Sequence, residues 1–444
     1  MLSMDTSKRL APYDAVNAWT VREASHLLSR AQFGFTPAEL DRATSEGMDA
    51  TLQRLTELQP ESADFSRAET SLRQAAISTG SIDNLKIWWL YRMRYSANPL
   101  TEKLTLFWHN HFATSNAKVN SVPYMLRQNE LIRTNSIGDF KQLLHGMSRD
   151  TAMLIWLDGN ANRKRHPNEN FAREIMELFA LGVGNYTERD IQEAARAFTG
   201  WHVRDGQFWM HELQHDESAK TVFGKTGQFD GNDIVNLCLE QPSCPRFLAT
   251  KLAKTFVCPE PSQDMTDQLA NRIRHHDLNM RPVLRELFSS QWFYQAENRR
   301  IMMKSPLELV LGTLRTLVEP IRWTGVVKVL ADLGQNIFEP PSVKGWEGGR
   351  LWITSSSLLQ RANFATEVTT TNQFGSLSDT VRNLTADASE AIVSLLGRWL
   401  LSDRLDDTIR QELLKFHASA EGTVEQKLRG LLQLILTLPE YQLH

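Results

Sequence analysis

Two histidines stand close together in the segment Trp-His-Asn-His-Phe at residues 108–112. On a helix that turns about 100° per residue, His111 falls within the apolar stripe and His109 points about 160° away from it. Two side chains at this spacing cannot bind one metal ion on a regular helix, because ligands on one face are four residues apart. His111 is therefore either a core histidine with one satisfied nitrogen or an imidazole tuned for acid–base or ligand chemistry.

A second polar cluster follows His166, in the segment HPNENFAREIMELFALGVG. Pro167 and Asn168 predict the start of a helix, and the closing glycines predict its end. The charged side chains of this helix are one arginine among three carboxylates: Arg173, Glu169, Glu174 and Glu177. Either they form ion pairs on a solvated face, or they face inward as metal ligands or as a general acid and base.

Glu174 is the sharpest candidate in this cluster because it lies at the edge of the apolar stripe of its helix. That position predicts a mostly buried carboxylate, which needs a cationic partner or takes up a proton. Arg173 is the nearest cation along the helix, and His111 or His215 are candidate partners across the fold.

Two further segments add candidate residues. His215 and Asp216 bring a histidine and a carboxylate together after the second cluster. Residues 340–352, the glycine-rich loop, carry Lys344 together with two tryptophans and an arginine. Loops of this composition usually shape a surface or a pocket.

Helices must position these residues, because helix signals dominate the chain. Thr36, Thr187 and Ser305 each precede a carboxylate by three residues, which is typical of a capped helix start. Apolar residues then recur at spacings of three and four, and strand-like alternation is confined to 201–209 and 351–354. The sequence predicts a mainly α, multi-helix globular fold with a few short strands or hairpins and long ordered loops.

Composition excludes several classes of protein. The 444 residues include 49 basic and 52 acidic side chains, a balance that argues against nucleic-acid binding. Three cysteines without zinc-site spacing exclude a disulfide scaffold. No apolar run approaches the roughly 20 residues that span a bilayer. The first residues lack the apolar stretch of a secretory signal, so we expect a cytoplasmic protein.

Five motifs, taken in order, resemble those of the bacterial domain-of-unknown-function family 1800: WHNHF, NENFAREIMELFALGVGNYTERDIQEAARAFTGW, HDESAKTVFGKTG, KSPLELVLG and PPSVKGWEGGRLW. The resemblance extends from about residue 24 to the closing LPEYQL. We divide the chain into an N-terminal extension (1–23), a main helical domain (24–364) and a last part (365–444). In this last part, a polar loop at 365–385 precedes C-terminal helices that pack on the main body.

The resemblance also bears on location and partners. Many members of the family are similar to exported proteins with a twin-arginine signal, and their genes often lie beside a gene for a sulfatase-like protein. The alternative to a cytoplasmic location is therefore a periplasmic or exported protein that travels with a signal-bearing partner.

Two classes of function stay open, since no known catalytic template is present. The first is an enzyme with a buried His/carboxylate site, with or without a divalent metal ion, that acts on an anionic or polar substrate. Its candidate catalytic residues are His111, Glu169, Arg173, Glu174 and Lys344. Candidate ligands of a divalent metal ion are His111, His166, Glu174, Glu177, His215 and Asp216. The second class is a non-catalytic helical binding or assembly partner of the sulfatase-like protein, with tryptophans as interface anchors.

Overall fold

Helices form most of the computed structural model, which describes residues 10–386, 388–402 and 405–444. The α-helices of the first half are α1 (Ala15–Ala18), α2 (Val21–Ala31), α3 (Pro37–Thr56), α4 (Ala63–Thr79), α5 (Ile82–Tyr95), α6 (Pro99–His111), α7 (Asn116–Val119), α8 (Val122–Asn135), α9 (Phe140–Ser148), α10 (Thr151–Trp156), α11 (Glu169–Glu174) and α12 (Glu188–Ala197). A π-helix, Ile175–Leu181, continues α11 directly.

The second half of the chain is built in the same way. Its α-helices are α13 (Gly231–Glu240), α14 (Ser243–Phe256), α15 (Gln263–His275), α16 (Met280–Phe288), α17 (Gln291–Tyr294), α18 (Pro306–Leu317), α19 (Trp323–Asp332), α20 (Ser355–Thr370), α21 (Asp379–Arg382), α22 (Ser389–Leu400), α23 (Asp407–Ser419) and α24 (Val424–Thr437). The predicted mainly α fold is confirmed. No helix in the described ranges is both long and apolar enough to cross a membrane.

Short antiparallel strand pairs complete the secondary structure. They are β1 (Trp201–Arg204) with β2 (Gln207–Met210), β3 (Lys220–Val222) with β4 (Lys225–Gly227), and β5 (Val318–Ile321) with β6 (Gly375–Leu377). The hairpin predicted at 201–209 is confirmed. The strand predicted at 351–354 is wrong, because Gly349–Trp352 form a 3₁₀ turn and Thr354 caps α20.

The three predicted capping boxes are all present. Thr36 caps α3 with Glu39, Thr187 caps α12 with Asp190, and Ser305 caps α18 with Glu308. In each box the hydroxyl accepts from one backbone N–H and the carboxylate accepts from another, so two unpaired donors of the first turn are satisfied. These starts are fixed by local sequence alone.

The stretch predicted as a polar loop at 365–385 is largely regular structure. Its first residues complete α20, its middle contains β6, and α21 follows. Phe364, Ala365 and Val368 of α20 are buried. The threonine hydroxyls of α20 donate to carbonyls one turn back, as Thr369 does to Ala365, so a threonine-rich composition is compatible with a helix. The division of the chain into three parts stays a prediction.

Candidate functional site

The C-terminal end of α6 is where three of the sequence motifs meet. The Asn110 side chain donates from Nδ2 to the Trp346 carbonyl at 3.1 Å and accepts from the Trp346 N–H at 2.7 Å. Gly345 has φ +77°, and a Cβ there would lie 2.1 Å from Asn110 Oδ1. Only glycine lets the glycine-rich loop approach α6 so closely. This contact, together with His111, Phe179 and Lys251, is called the α6 junction below.

His111 is buried at this junction and held by both ring nitrogens. Its Nε2 lies 2.9 Å from the Phe179 carbonyl oxygen, and its Nδ1 lies 3.0 Å from Lys251 Nζ. Because a carbonyl only accepts, Nε2 carries the hydrogen and Nδ1 accepts from Lys251. Burial, and then the charge of Lys251, lower the pKa of His111 well below its ordinary value. The imidazole is therefore neutral.

His109 lies on a different side of α6, as predicted. It too is buried, and its ring contacts those of Trp89, Phe338 and Trp346. Burial lowers the pKa of His109 to about 4. The two histidines thus occupy separate environments, His111 in a polar contact and His109 among aromatic rings.

Lys251 is the functional candidate that sequence reasoning missed. It lies on α14 with its Nζ 4.8 Å from the centre of the Phe247 ring, and burial lowers its pKa to about 8. No carboxylate of the described residues forms a salt bridge with Lys251. A lysine whose pKa is near neutral pH is a candidate general base. The sequence places Lys251 on an amphipathic helix but does not show that it lacks a counter-charge.

The LFALG motif forms the end of the π-helix and the glycine that follows it. It presents the Phe179 carbonyl to His111, and it ends at Gly182, where φ is +81°. A Cβ on Gly182 would lie 3.0 Å from Phe247 Cδ2, so the missing side chain leaves room for the Phe247 ring that covers Lys251. Single π-helical turns are frequent at functional sites.

Glu174 is partly buried and forms no salt bridge in the described part of the chain. The predicted pairing with Arg173, His111 or His215 is wrong. Arg173 binds Glu188 at 2.8 Å and Glu169 at 3.1 Å instead, because it points toward the start of α12. Burial and then Glu177 raise the pKa of Glu174, whereas Arg173 and Lys344 act to lower it. Lys344, an exposed side chain of the glycine-rich loop, therefore lies near this carboxyl.

The other candidates lie apart from the α6 junction. His166 is exposed, and Glu177 accepts from the Tyr186 hydroxyl. His215 donates from Nδ1 to the Thr199 carbonyl at 2.8 Å. Asp216 binds Arg196 at 2.8 Å. Burial acts to raise the pKa of Asp216, but hydrogen bonds from Ser218 and Arg196 outweigh it and lower that pKa.

The structure gives no support to the predicted divalent-metal site. Within the described ranges, no three His, Cys, Asp or Glu side chains are arranged to hold a metal ion. The donors that were predicted to converge are instead engaged with different neighbours: His111 with Lys251, His215 with Thr199, and Asp216 with Arg196.

Comparison with known proteins agrees with the motifs. The family model described as "Protein of unknown function (DUF1800)" matches residues 26–443, nearly the whole chain. No curated protein and no solved structure matches this chain.

Proposed function

The chain belongs to the DUF1800 family, and we propose that it is an acid–base enzyme in which Lys251 is the general base acting on an anionic or polar substrate. The observation that supports this proposal is the partly buried Lys251 amine, whose hydrogen-bond partner is a neutral imidazole and not a carboxylate. Placing a cation there lowers stability, since desolvation is not compensated by an opposite charge. Such costs are typical of functional sites.

His111 is the positioning residue in this proposal. Its Nε2–H is fixed by the Phe179 carbonyl, so its Nδ1 lone pair is aimed at Lys251 Nζ. That acceptor orients the amine when it is neutral and stabilises the ammonium after proton abstraction. A neutral histidine does this without competing for the proton, since its own pKa is far below that of Lys251.

We assign Lys344 and Glu174 to the same proposed site, because the charge of Lys344 acts on the Glu174 carboxyl. Lys344 is exposed and provides a positive charge for an anionic group of the substrate. Glu174, with its raised pKa, is the proton donor. Glu169 and Arg173 hold each other and Glu188, so we assign them to the support of α11 and not to the chemistry.

The experiment that tests this proposal measures the reactivity of single lysines with an amine-reactive reagent across a pH series, by mass spectrometry. We expect Lys251 to titrate with a pKa of about 8, and the exposed Lys328 serves as the reference lysine. Chromogenic esters, phosphates and sulfates then serve as substrates for the unmodified protein, Lys251→Met and the control Lys328→Met. An ordinary pKa for Lys251, or turnover that survives Lys251→Met, contradicts the proposal.

A second candidate function is binding to the sulfatase-like protein, and an apolar groove favours it. The groove has a volume of 340 Å³ and is lined by side chains that include Ile353, Leu358 and Leu436. Next to it, Leu359 is 62% exposed. Exposed apolar patches of this kind mark interaction sites. Co-purification with the sulfatase-like protein, and its loss in Leu358→Glu, tests this alternative. A cytoplasmic location, and the alternative of export with a signal-bearing partner, both stay predictions.

A further inference from the structure

A cleft of 740 Å³ borders the glycine-rich loop and is lined by none of the residues that form the α6 junction. It is bounded by the end of α14, the start of α15, residues 292–303 and the loop residues Glu347, Gly349 and Arg350. Its volume is within the range of small-molecule sites. We call it the Trp292 cleft.

Part of the lining of the Trp292 cleft is apolar and flexible. The apolar side chains that line it are Met265, Trp292, Ile301, Met302 and Met303. Methionine is flexible and polarisable, so a surface rich in methionine accepts apolar side chains of different shapes. The cleft is therefore suited to an apolar group whose exact shape varies.

The charged side chains of the cleft are exposed and form no salt bridges with the described residues. Two cations, Lys254 and Arg350, and three carboxylates, Glu260, Glu297 and Glu347, line it. None of the five takes part in a salt bridge within the described structure, although both signs are present. A ligand that carries one positive and one negative charge would pair with both kinds of side chain.

Trp292 adds a directional donor. The residue is fully buried, and its indole N–H has no acceptor among the described residues. A buried donor without an acceptor costs about 1–3 kcal/mol, so a ligand that supplies an acceptor there gains affinity. A peptide carbonyl is such an acceptor.

We propose that the Trp292 cleft binds a short free peptide with apolar side chains. Its apolar side chains contact the methionines, a backbone carbonyl accepts from Trp292, and its two charged ends pair with the cations and carboxylates of the rim. This inference does not depend on the chemistry of Lys251, because Lys254 and Arg350 belong to the cleft and not to the α6 junction.

Isothermal titration calorimetry with the tripeptide Ala-Leu-Leu tests the proposal on the full chain. We expect saturable binding, weakened by about tenfold or more when either end is blocked by acetylation or amidation, since each block removes a charge-assisted hydrogen bond. Absence of binding overturns the proposal. Equal binding of a singly or doubly blocked peptide also overturns it, because the charged ends would then contribute nothing.

Two variants locate the binding. Arg350→Gln removes an exposed rim charge, and Trp292→Phe keeps a ring and removes the buried N–H; each is expected to weaken binding by about tenfold. Arg322→Gln is the matched control, because Arg322 is also exposed and does not line the cleft. Unchanged affinity in Arg350→Gln contradicts the proposal even if Trp292→Phe fails to fold.

Discussion

The two ends of α6 bury charge in opposite ways. Near its start, Glu102 is fully buried and accepts from Arg92 at 3.0 Å, from Arg133 at 2.8 Å and from the Trp89 indole at 3.1 Å. At its end, Lys251 contacts the neutral His111 and the Phe247 ring and forms no salt bridge with any described residue. The first arrangement compensates charge with charge and stabilises the fold, whereas the second leaves a cation uncompensated. Counter-charges, more than burial, distinguish the structural Glu102 from Lys251, which we propose as the general base.

The pKa directions support the same distinction. Burial acts to raise the pKa of Glu102, but Arg133 and Arg92 outweigh it and the pKa is lowered, so the carboxylate stays ionised. Burial alone lowers the pKa of Lys251 to about 8, and no counter-charge among the described residues opposes it. A group with one stable protonation state cannot exchange protons near neutral pH, and a group with a pKa of about 8 can.

The largest effect is expected for Glu102→Gln. Removing the carboxylate leaves Arg133 without an opposite charge in a buried site, which typically costs 3–5 kcal/mol. We therefore expect the free energy of unfolding, measured with urea at neutral pH, to fall by about 3 kcal/mol or more. The pKa of Lys251 should not change. A loss below about 1 kcal/mol would show that the two ends of α6 do not differ as described.

The pH dependence of stability tests the effect of burying His109, which lies on α6 between Glu102 and His111. Its pKa is about 4 in the folded protein and about 6.5 when unfolded, so the unfolded state binds a proton that the folded state rejects. The free energy of unfolding is then at its full value above about pH 6.5 and falls by about 3 kcal/mol as the pH drops to about 4. Urea unfolding across this range measures it. His109→Phe removes this contribution, and an unchanged slope in that variant contradicts the interpretation.

Lys251→Met should stabilise the protein. Methionine fills a similar volume without the uncompensated charge, so we expect a gain of about 1 kcal/mol, measured as a higher Tm at neutral pH. Activity should be lost in the same variant. Lys328→Met is the control and should stay within about 0.5 kcal/mol of the unmodified protein. A lower Tm in Lys251→Met would show that Lys251, like Glu102, stabilises the fold.

The smallest effect on stability is expected for Glu174→Gln. Glu174 is only partly buried and forms no salt bridge, so the change should alter the free energy of unfolding by less than about 0.5 kcal/mol. If Glu174 is the proton donor, activity is lost although the fold is intact. A variant with unchanged turnover would remove Glu174 from the site, and a loss of several kcal/mol would make it a structural partner.

The local features of this protein could be predicted from its amino-acid sequence. The capping boxes at Thr36, Thr187 and Ser305 were predictable because donor and acceptor lie three residues apart. The inward face of His111 was predictable because helical periodicity decides which side chains share a face. The motifs around Asn110, Gly182 and Gly345 were visible as unusual sequence, although their contacts with one another were not.

The pairing of the charged side chains, in contrast, depends on contacts between distant parts of the chain. Lys251 and His111 are 140 residues apart in the chain, and Asn110 and Trp346 are 236 apart. Arg173 could have bound Glu174 beside it, but it binds Glu188 because α12 places that carboxylate within reach. Ionic interactions depend on distances across the fold and on the loss of water, and neither is encoded in local spacing. A charged residue in the sequence therefore indicates candidate chemistry, and its neighbours in space decide whether the charge is compensated.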